Sequence, residues 1–503
     1  MTSLTGFPDH KLPPDVLKLV NNIFDIAKEY GLTSYPIKFV LVSPKELNSV
    51  AAYSGFPLRM PHWRYGMEFE DLHKRYSYGL SKIYELVINT NPVIAYLLNT
   101  NSLVEQKLVM IHVCAHADFF FNNAWFRGTD RQMIDQMANN ATRVRRMANL
   151  HGENKVEDFI DVCYSLENLV DPYLVHIKRK GPPRNEDEEL AKMPIPKLKS
   201  NEYMDRFINT KDFIDLQKKK IEEERLKSKR FPENPDRDIL GFLVDHAPLE
   251  RWQKDVLAMV REEAYYFAPQ LMTKIMNEGW ATYIHSKFMT TKLATDSEII
   301  DYCDSQSRAI HTNGRSINPY RLGLYLYKDI EDRWNKGRFG PEWDACEDLV
   351  KRHEWDKKLG LGKEKLFQVR KTHNDLTFID DFLTPEFCAE HQLFSFKMNQ
   401  FNQIDINREF QKVKDHLLQM LANGGNPVIQ IDNANYENKG ELKLEHVADG
   451  QELDPKKAKA TMQYLYKVWT RPIHIQTVQI DDAGAERPVL WTYNGKEHTQ
   501  NFI

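Results

Sequence analysis

The sequence predicts an α+β protein. A mainly helical N-terminal and central part is built on a two-helix metal core, and a C-terminal ferredoxin-like α+β domain follows. Three observations predict it. Apolar residues recur at helical spacing through 14–30, 103–125, 249–290 and 319–336. Beyond about residue 380 the pattern is mixed, in the order β-α-β-β-α-β with an appended strand. Two apolar helices carry polar ligand-type residues, His112 and His116 on one and Glu278 on the other.

The elements follow in order. Residues 14–30 form a helix closed by Gly31. Residues 36–44 read as a strand, 45–65 as an aromatic loop and 68–80 as a helix. KIYELVIN (82–89) fits either strand or helix, and Asn91-Pro92 ends it. Residues 92–98 read as a first helical turn, before a long buried helix over 103–125. Another helix covers 155–169 and stops near Asp171-Pro172. The stretch 178–236 changes character: 13 of the 20 residues 211–230 are charged, which predicts a solvated loop and then an exposed helix. Folding resumes at Asp238, with helices 249–267 and 270–290 separated at Pro269, then 296–308 and 319–336. Strands are expected at 391–400, 427–435, 440–447, 472–478 and 488–495, with helices over 406–421 and from Asp454-Pro455 to Trp469. The expected divisions are 1–177, 178–236, 237–380 and 381–503, the last an interaction or regulatory domain.

Composition narrows the function classes. The chain has 503 residues, 42% hydrophobic and 28% charged, as a multi-domain globular protein has. Its 68 basic and 72 acidic residues nearly balance, which argues against a dedicated nucleic-acid binder. Cys114, Cys163, Cys303, Cys346 and Cys388 are scattered with no CxxC pair, which predicts reduced thiols. The N-terminus has no signal-peptide pattern. The most apolar stretch, 108–126, holds His112, His116, Asp118, Asn122 and Asn123, so no membrane span is expected and the expected location is cytoplasmic. No phosphate loop, dinucleotide fingerprint or GxSxG elbow occurs.

His112-Val113-Cys114-Ala115-His116 puts two imidazoles on one helix face, about 6 Å apart. That spacing grips a divalent metal, although two core histidines with hydrogen-bond partners would read the same way. Glu278 lies in an apolar helix, where a carboxylate is costly unless paired or metal-bound. Gly279 weakens that helix and suggests a close approach by another element. His112, His116 and Glu278 together form a two-histidine, one-carboxylate set, which suits zinc ahead of iron. His285, two turns further on, is a candidate fourth ligand, hydrogen-bond partner or proton carrier. One of Glu262 and Glu263 is expected to turn inward as a base, or else to pair with an arginine. Glu157 and Asp161 share a face, solvated or turned to the histidines. His62, Trp63, Arg308, His311 and Arg321 are candidates for a substrate pocket wall; Arg308, His311, Asn313, Arg315 and Asn318-Pro319-Tyr320-Arg321 form a polar, turn-rich segment that binds an anion, closes over a pocket or is a hydrogen-bonded loop.

These residues lie in segments that closely resemble the stage V sporulation protein R (SpoVR-like) family. The matching segments are PHWRYG (61–66), KIYELVINTNPVIAYLL (82–98), HVCAHADFFFNN (112–123), Val156 to Tyr173, REEAYYFAPQLMTKIMNEGWATYIH (261–285) and Asn318 to Gly323. The likeness covers roughly residues 10–390 and continues more weakly to the C-terminus. It implies a role in spore cortex formation, or in starvation and stress, beside a PrkA-type serine kinase and a YhbH-like protein. A more distant likeness is to gluzincin-type zinc metallopeptidases, whose HExxH helix supplies two ligands and the general base. His112, His116 and Glu278 match the ligands of that gluzincin-like core, but Val113 stands at the base position. The base is then another carboxylate, Glu262 or Glu263, or the site is not a peptidase.

Three functions are therefore weighed. The first is a metal-dependent hydrolase of peptide or cell-wall-related amide bonds, with His285 or Tyr266 steadying the oxyanion. The second is a non-catalytic regulatory protein with a structural metal or a polar core. The third is a non-haem iron redox enzyme.

Overall fold

The computed structural model describes residues 12–78, 82–177, 210, 213–217, 219, 230–311, 317–393, 395–398, 404–480 and 485–503. The charged segment 178–236 lies largely outside them, as do Asn313 and Arg315. The chain divides into two units, Met1–Glu157 with Tyr265–Gly425, and Asp158–Ala264 with Asn426–Ile503. Residues 381–425 thus group with the first unit.

In the first unit the helix Pro14–Tyr30 ends on Gly31, whose φ of 98° and cap bonds to Ala27 and Lys28 close it as the sequence predicts. A three-stranded sheet follows, from β1 (Ile37–Val42), β2 (Glu85–Ile88) and β3 (Val93–Leu98), in the order β1-β3-β2. β3 runs parallel to β1 and antiparallel to β2. The expected helical turn at 92–98 is corrected: all six residues of β3 are buried between neighbouring strands. A short, wholly apolar run suits a central strand as well as a buried helix, and here the pairing decides. The expected loop at 45–65 is also corrected. Pro44–Ala52 is a helix opened by a Ser43/Glu46 capping box with Pro44 in its first turn. The helix expected from 68 begins earlier, spanning Trp63–Ser77, with His62 as its N-cap. The helix Met133–His151 was not expected, although Met133, Met137, Ala141 and Val144 are buried at helical spacing.

Two helices form the centre of this unit. The His helix, Leu103–Asn122, starts at a Ser102/Glu105 capping box, and every residue from Val109 to Phe120 is buried. A helix apolar all round belongs inside a core, and this one does. The Glu helix, Lys274–Phe288, buries most of its length too. Its predecessor, Arg251–Met272, runs through Pro269, so the break falls at Thr273 and not at the proline. Thr273 provides no side-chain cap. Asp375 does so from another helix, accepting from Ile275 N and Met276 N at 2.8 Å each. Asp118 ties the two helices together. Its carboxylate accepts from Trp280 Nε1 at 3.0 Å and Thr33 N at 2.8 Å, and pairs with Arg370.

The helix Pro319–Lys336 crosses the Glu helix at a pair of glycines. A Cβ on Gly279 would lie 2.4 Å from Gly323 Cα, and one on Gly323 would lie 2.3 Å from Ile275 O. The close approach suggested by Gly279 is this crossing.

Further along, β4 (Ser395–Met398) pairs with β5 (Ile404–Asn407) as a separate hairpin. The second unit holds β6 (Val428–Tyr436), β7 (Glu441–Val447), β8 (Ile473–Ile480), β9 (Glu486–Tyr493) and β10 (His498–Phe502), in the order β10-β9-β8-β7-β6. β7 and β8 are parallel, joined through the helix Pro455–Trp469, and the other neighbours are antiparallel. The α+β class holds. The ferredoxin-like topology does not follow, because it needs the 391–400 strand inside this sheet, and β4 pairs with β5 instead. Among the described residues, no helix is long and apolar enough to cross a membrane.

Candidate metal centre

His112 and His116 stand one turn apart on the His helix, with ring centroids 4.5 Å apart. Glu278 reaches them from the Glu helix, its Oε2 lying 3.5 Å from His116 Nε2 and 3.7 Å from His112 Nε2. One ligand atom from each of the three residues lies within 4.8 Å of the others. The predicted triad is thus brought together across 166 residues of sequence (278 minus 112).

Hydrogen bonds on the far side of each ring fix what it presents. His116 Nδ1 is 2.9 Å from Asn277 Oδ1, an oxygen that only accepts. So Nδ1 carries the proton, and Nε2 faces Glu278 with a lone pair. His112 Nδ1 is 2.9 Å from His285 Nδ1, and His285 Nε2 is 2.5 Å from Gln306 Oε1. Glu278 is 19% exposed as a side chain, but its Oε2 is buried and has no hydrogen-bond partner.

Burial and the attraction between the acid and its neighbours act on Glu278 in opposite directions. Burial pushes Glu278 up, but the neighbouring His116 and His112 rings and a hydrogen bond from Tyr320 outweigh it, leaving its carboxyl below the ordinary range. Burial pushes His116 down to about 4 and His285 down to about 3, so both stay uncharged near neutrality. Tyr320 is raised, first by burial and then by Glu278 and Glu85. Glu85, on β2, has its Oε1 3.9 Å from His112 Nε2. Its acidity is weakened by burial, against the pull of His112 and with a further push from Glu278.

The other expected residues go elsewhere. His285 has both ring nitrogens engaged, by His112 and Gln306, so it is neither a free ligand nor a free acid. Tyr266 packs with Phe56 and Tyr96 in a separate cluster, and its hydroxyl donates to Asn89 O. Glu262, exposed, and Glu263, buried, fall in the second unit and are not among the groups that meet at the triad. Glu157 accepts from Trp63 N at 3.0 Å rather than from a histidine. His62 accepts from Arg64 N as a helix cap, and Trp63 is 56% exposed. Arg308 and His311 are exposed at the end of the helix Ile299–Ile310, and Arg321 stacks over Tyr325. Tyr320 lies in the polar Asn318-Pro319-Tyr320-Arg321 segment expected near a pocket, whereas sequence reasoning missed Glu85 and Gln306. Both of these reach the centre from elements with no local motif, whereas Asn318-Pro319 marks the helix start that aims Tyr320.

Comparison with known proteins finds matches along most of the chain. Residues 12–426 match the family described as SpoVR like protein, and residues 427–480 match the SpoVR-like C-terminal domain. A relative from Escherichia coli (strain K12), described as uncharacterized protein YcgB, is 27% identical over 478 residues, covering 88% of each chain. No solved structure matches.

Proposed function

The chain belongs to the SpoVR-like family, and from that premise we propose that His112, His116 and Glu278 hold one divalent metal ion in a hydrolytic site for peptide or cell-wall-related amide bonds. The observation that supports this reading is the orphaned Glu278 Oε2. It faces two imidazole nitrogens at 3.5 and 3.7 Å, with no hydrogen-bond partner of its own. A buried carboxylate oxygen without a hydrogen-bond partner is unfavourable, and a cation between it and the two ring nitrogens would satisfy all three. The donor set suits Zn²⁺ with one open position, and Fe²⁺ with more. Zinc is our first assignment. When bound, such an ion acts as a Lewis acid and activates water.

The chain's own groups divide the remaining work. Glu85 lies beside the triad at 3.9 Å from His112 Nε2, positioned to accept a proton where Val113 cannot. Tyr320 orients the Glu278 carboxylate through its hydrogen bond. We place this activity in the cytoplasm, in spore cortex formation or in starvation and stress, beside a PrkA-type serine kinase and a YhbH-like protein.

Val113 supports a second reading. It is fully buried at the position of the usual base, as in a protein whose metal is structural. Elemental analysis of protein purified without chelator, beside His112→Ala and Glu278→Ala, tests both. About one equivalent of zinc or iron, lost in both variants with circular dichroism unchanged, supports the catalytic site. Metal loss with unfolding supports the structural one. No metal in any preparation, even after incubation with zinc and ferrous ions, overturns both.

A further inference from the structure

We propose that His285 and Gln306 are positioning residues, a two-link relay that sets which nitrogen of His112 is offered to the metal. The proposal rests on the reading of the triad as a metal site. Gln306 Oε1 has only lone pairs, and it also accepts from Tyr302 Oη at 3.3 Å. His285 Nε2, 2.5 Å from that oxygen, must therefore carry the His285 proton. A neutral imidazole has one N–H, so His285 Nδ1 is bare and accepts from His112 Nδ1–H at 2.9 Å. His112 Nε2 is then bare as well, and it faces Glu278 at 3.7 Å.

The two ligand histidines thus reach the same state by different routes. Asn277, next to Glu278 in sequence, orients His116 directly at 2.9 Å. His112 is oriented at one remove, through His285, by a glutamine on the helix Ile299–Ile310. Because the amide oxygen can accept a hydrogen bond but does not take up a proton, the relay fixes a direction and is not a wire. His285 is thereby assigned to orientation, and the helix Ile299–Ile310 gains a task that its sequence does not announce. The three ring positions are set before any metal arrives, so little ordering is left to oppose binding.

Long-range nitrogen–proton correlation spectra of the metal-free, ¹⁵N-labelled protein test this without any variant. The expected result is His112 protonated on Nδ1 and His285 on Nε2. In Gln306→Leu the acceptor is gone. His112 should shift toward the Nε2–H form, and the dissociation constant for Zn²⁺, measured by chelator competition, should rise roughly 10–100-fold with saturation still reached. Gln306→Glu keeps an acceptor and should restore binding to within a few-fold. His112 protonated on Nε2 in the unaltered protein overturns the proposal, as does unchanged zinc affinity in Gln306→Leu. If the expected tautomers are found but the unaltered protein binds no Zn²⁺, the relay stands and the metal reading fails.

Discussion

Replacing Gly279 by alanine should destabilise the protein, against the usual preference of helices. In an open helix interior, glycine to alanine gains about 1 kcal/mol. Gly66 is such a position, with nothing within 4 Å of an added Cβ, and Gly66→Ala should stabilise by roughly 0.5–1 kcal/mol. At Gly279 the same methyl would lie 2.4 Å from Gly323 Cα and 2.6 Å from Gly323 C, both backbone atoms that no rotamer can move. Carbon atoms in contact sit at about 3.5–4.0 Å, so the two helices must part by about 1 Å or more. Overpacking of this kind costs about 1–3 kcal/mol, occasionally more, which exceeds the propensity gain. Tyr320 and Glu278 lie on the two separated helices, so metal affinity should fall as well. Urea and thermal unfolding of both variants, beside zinc competition, measure this. Gly279→Ala as stable as Gly66→Ala would refute the crossing. Gly323→Ala added to Gly279→Ala should cost less than it does alone, because the helices have already parted.

Further outcomes follow from the same geometry. Asp118→Ala leaves Arg370 charged and buried at 5% exposure, and should cost about 3–5 kcal/mol in denaturant unfolding. In the metal-free protein, His116 at about 4 and His285 at about 3 lie below the unfolded value of about 6.5. The unfolded chain therefore binds more protons between these limits, so stability is full above about pH 6.5 and falls as pH drops toward 4. The fall should be shallower in His285→Phe, and an equal slope would count against the assignment. Burial pushes Cys114 up to about 12, whereas Cys303 is exposed, so brief alkylation read by mass spectrometry should label Cys303 and spare Cys114.

Local signals carried part of this architecture. Gly31, the Ser102 cap, Asn318-Pro319 and Asp454-Pro455 mark helix ends by chemistry confined to a few residues, and those ends fall where the sequence puts them. His112 and His116 are legible for the same reason, since four residues of helix fix their relation. Glu278 was legible as a misfit, a carboxylate in an apolar helix. β3 was misread because VIAYLL, buried throughout, carries no period to separate strand from helix. The pairing of β4 with β5 was not legible, because alternation reports a strand and not its neighbour. Glu85 and Gln306 were missed because they act across elements. A strand residue 27 positions before His112 and a helix residue 21 positions after His285 leave no joint pattern in the sequence.

The triad breaks the rule that the rest of its core follows. His112, His116 and Glu278 place a charge and two oriented dipoles where their neighbours on both helices are apolar. Without a cation, Glu278 Oε2 lacks a partner, and this should weaken the metal-free protein. Glu278→Gln separates the two roles. A neutral amide removes the buried charge and can donate to His112 or His116 Nε2, so the metal-free variant should be at least as stable as the unaltered chain. The same change removes a ligand, so the stabilisation that saturating metal confers should vanish; it amounts to about 2.7 kcal/mol at a hundred times the dissociation constant. One substitution then has opposite signs in the two states, which a group placed for function at the expense of stability would show. Thermal unfolding with and without Zn²⁺ reads both. A metal-free Glu278→Gln weakened by about 3–5 kcal/mol would instead make the carboxylate an ionic partner of protonated imidazoles, and the triad a structural ion pair.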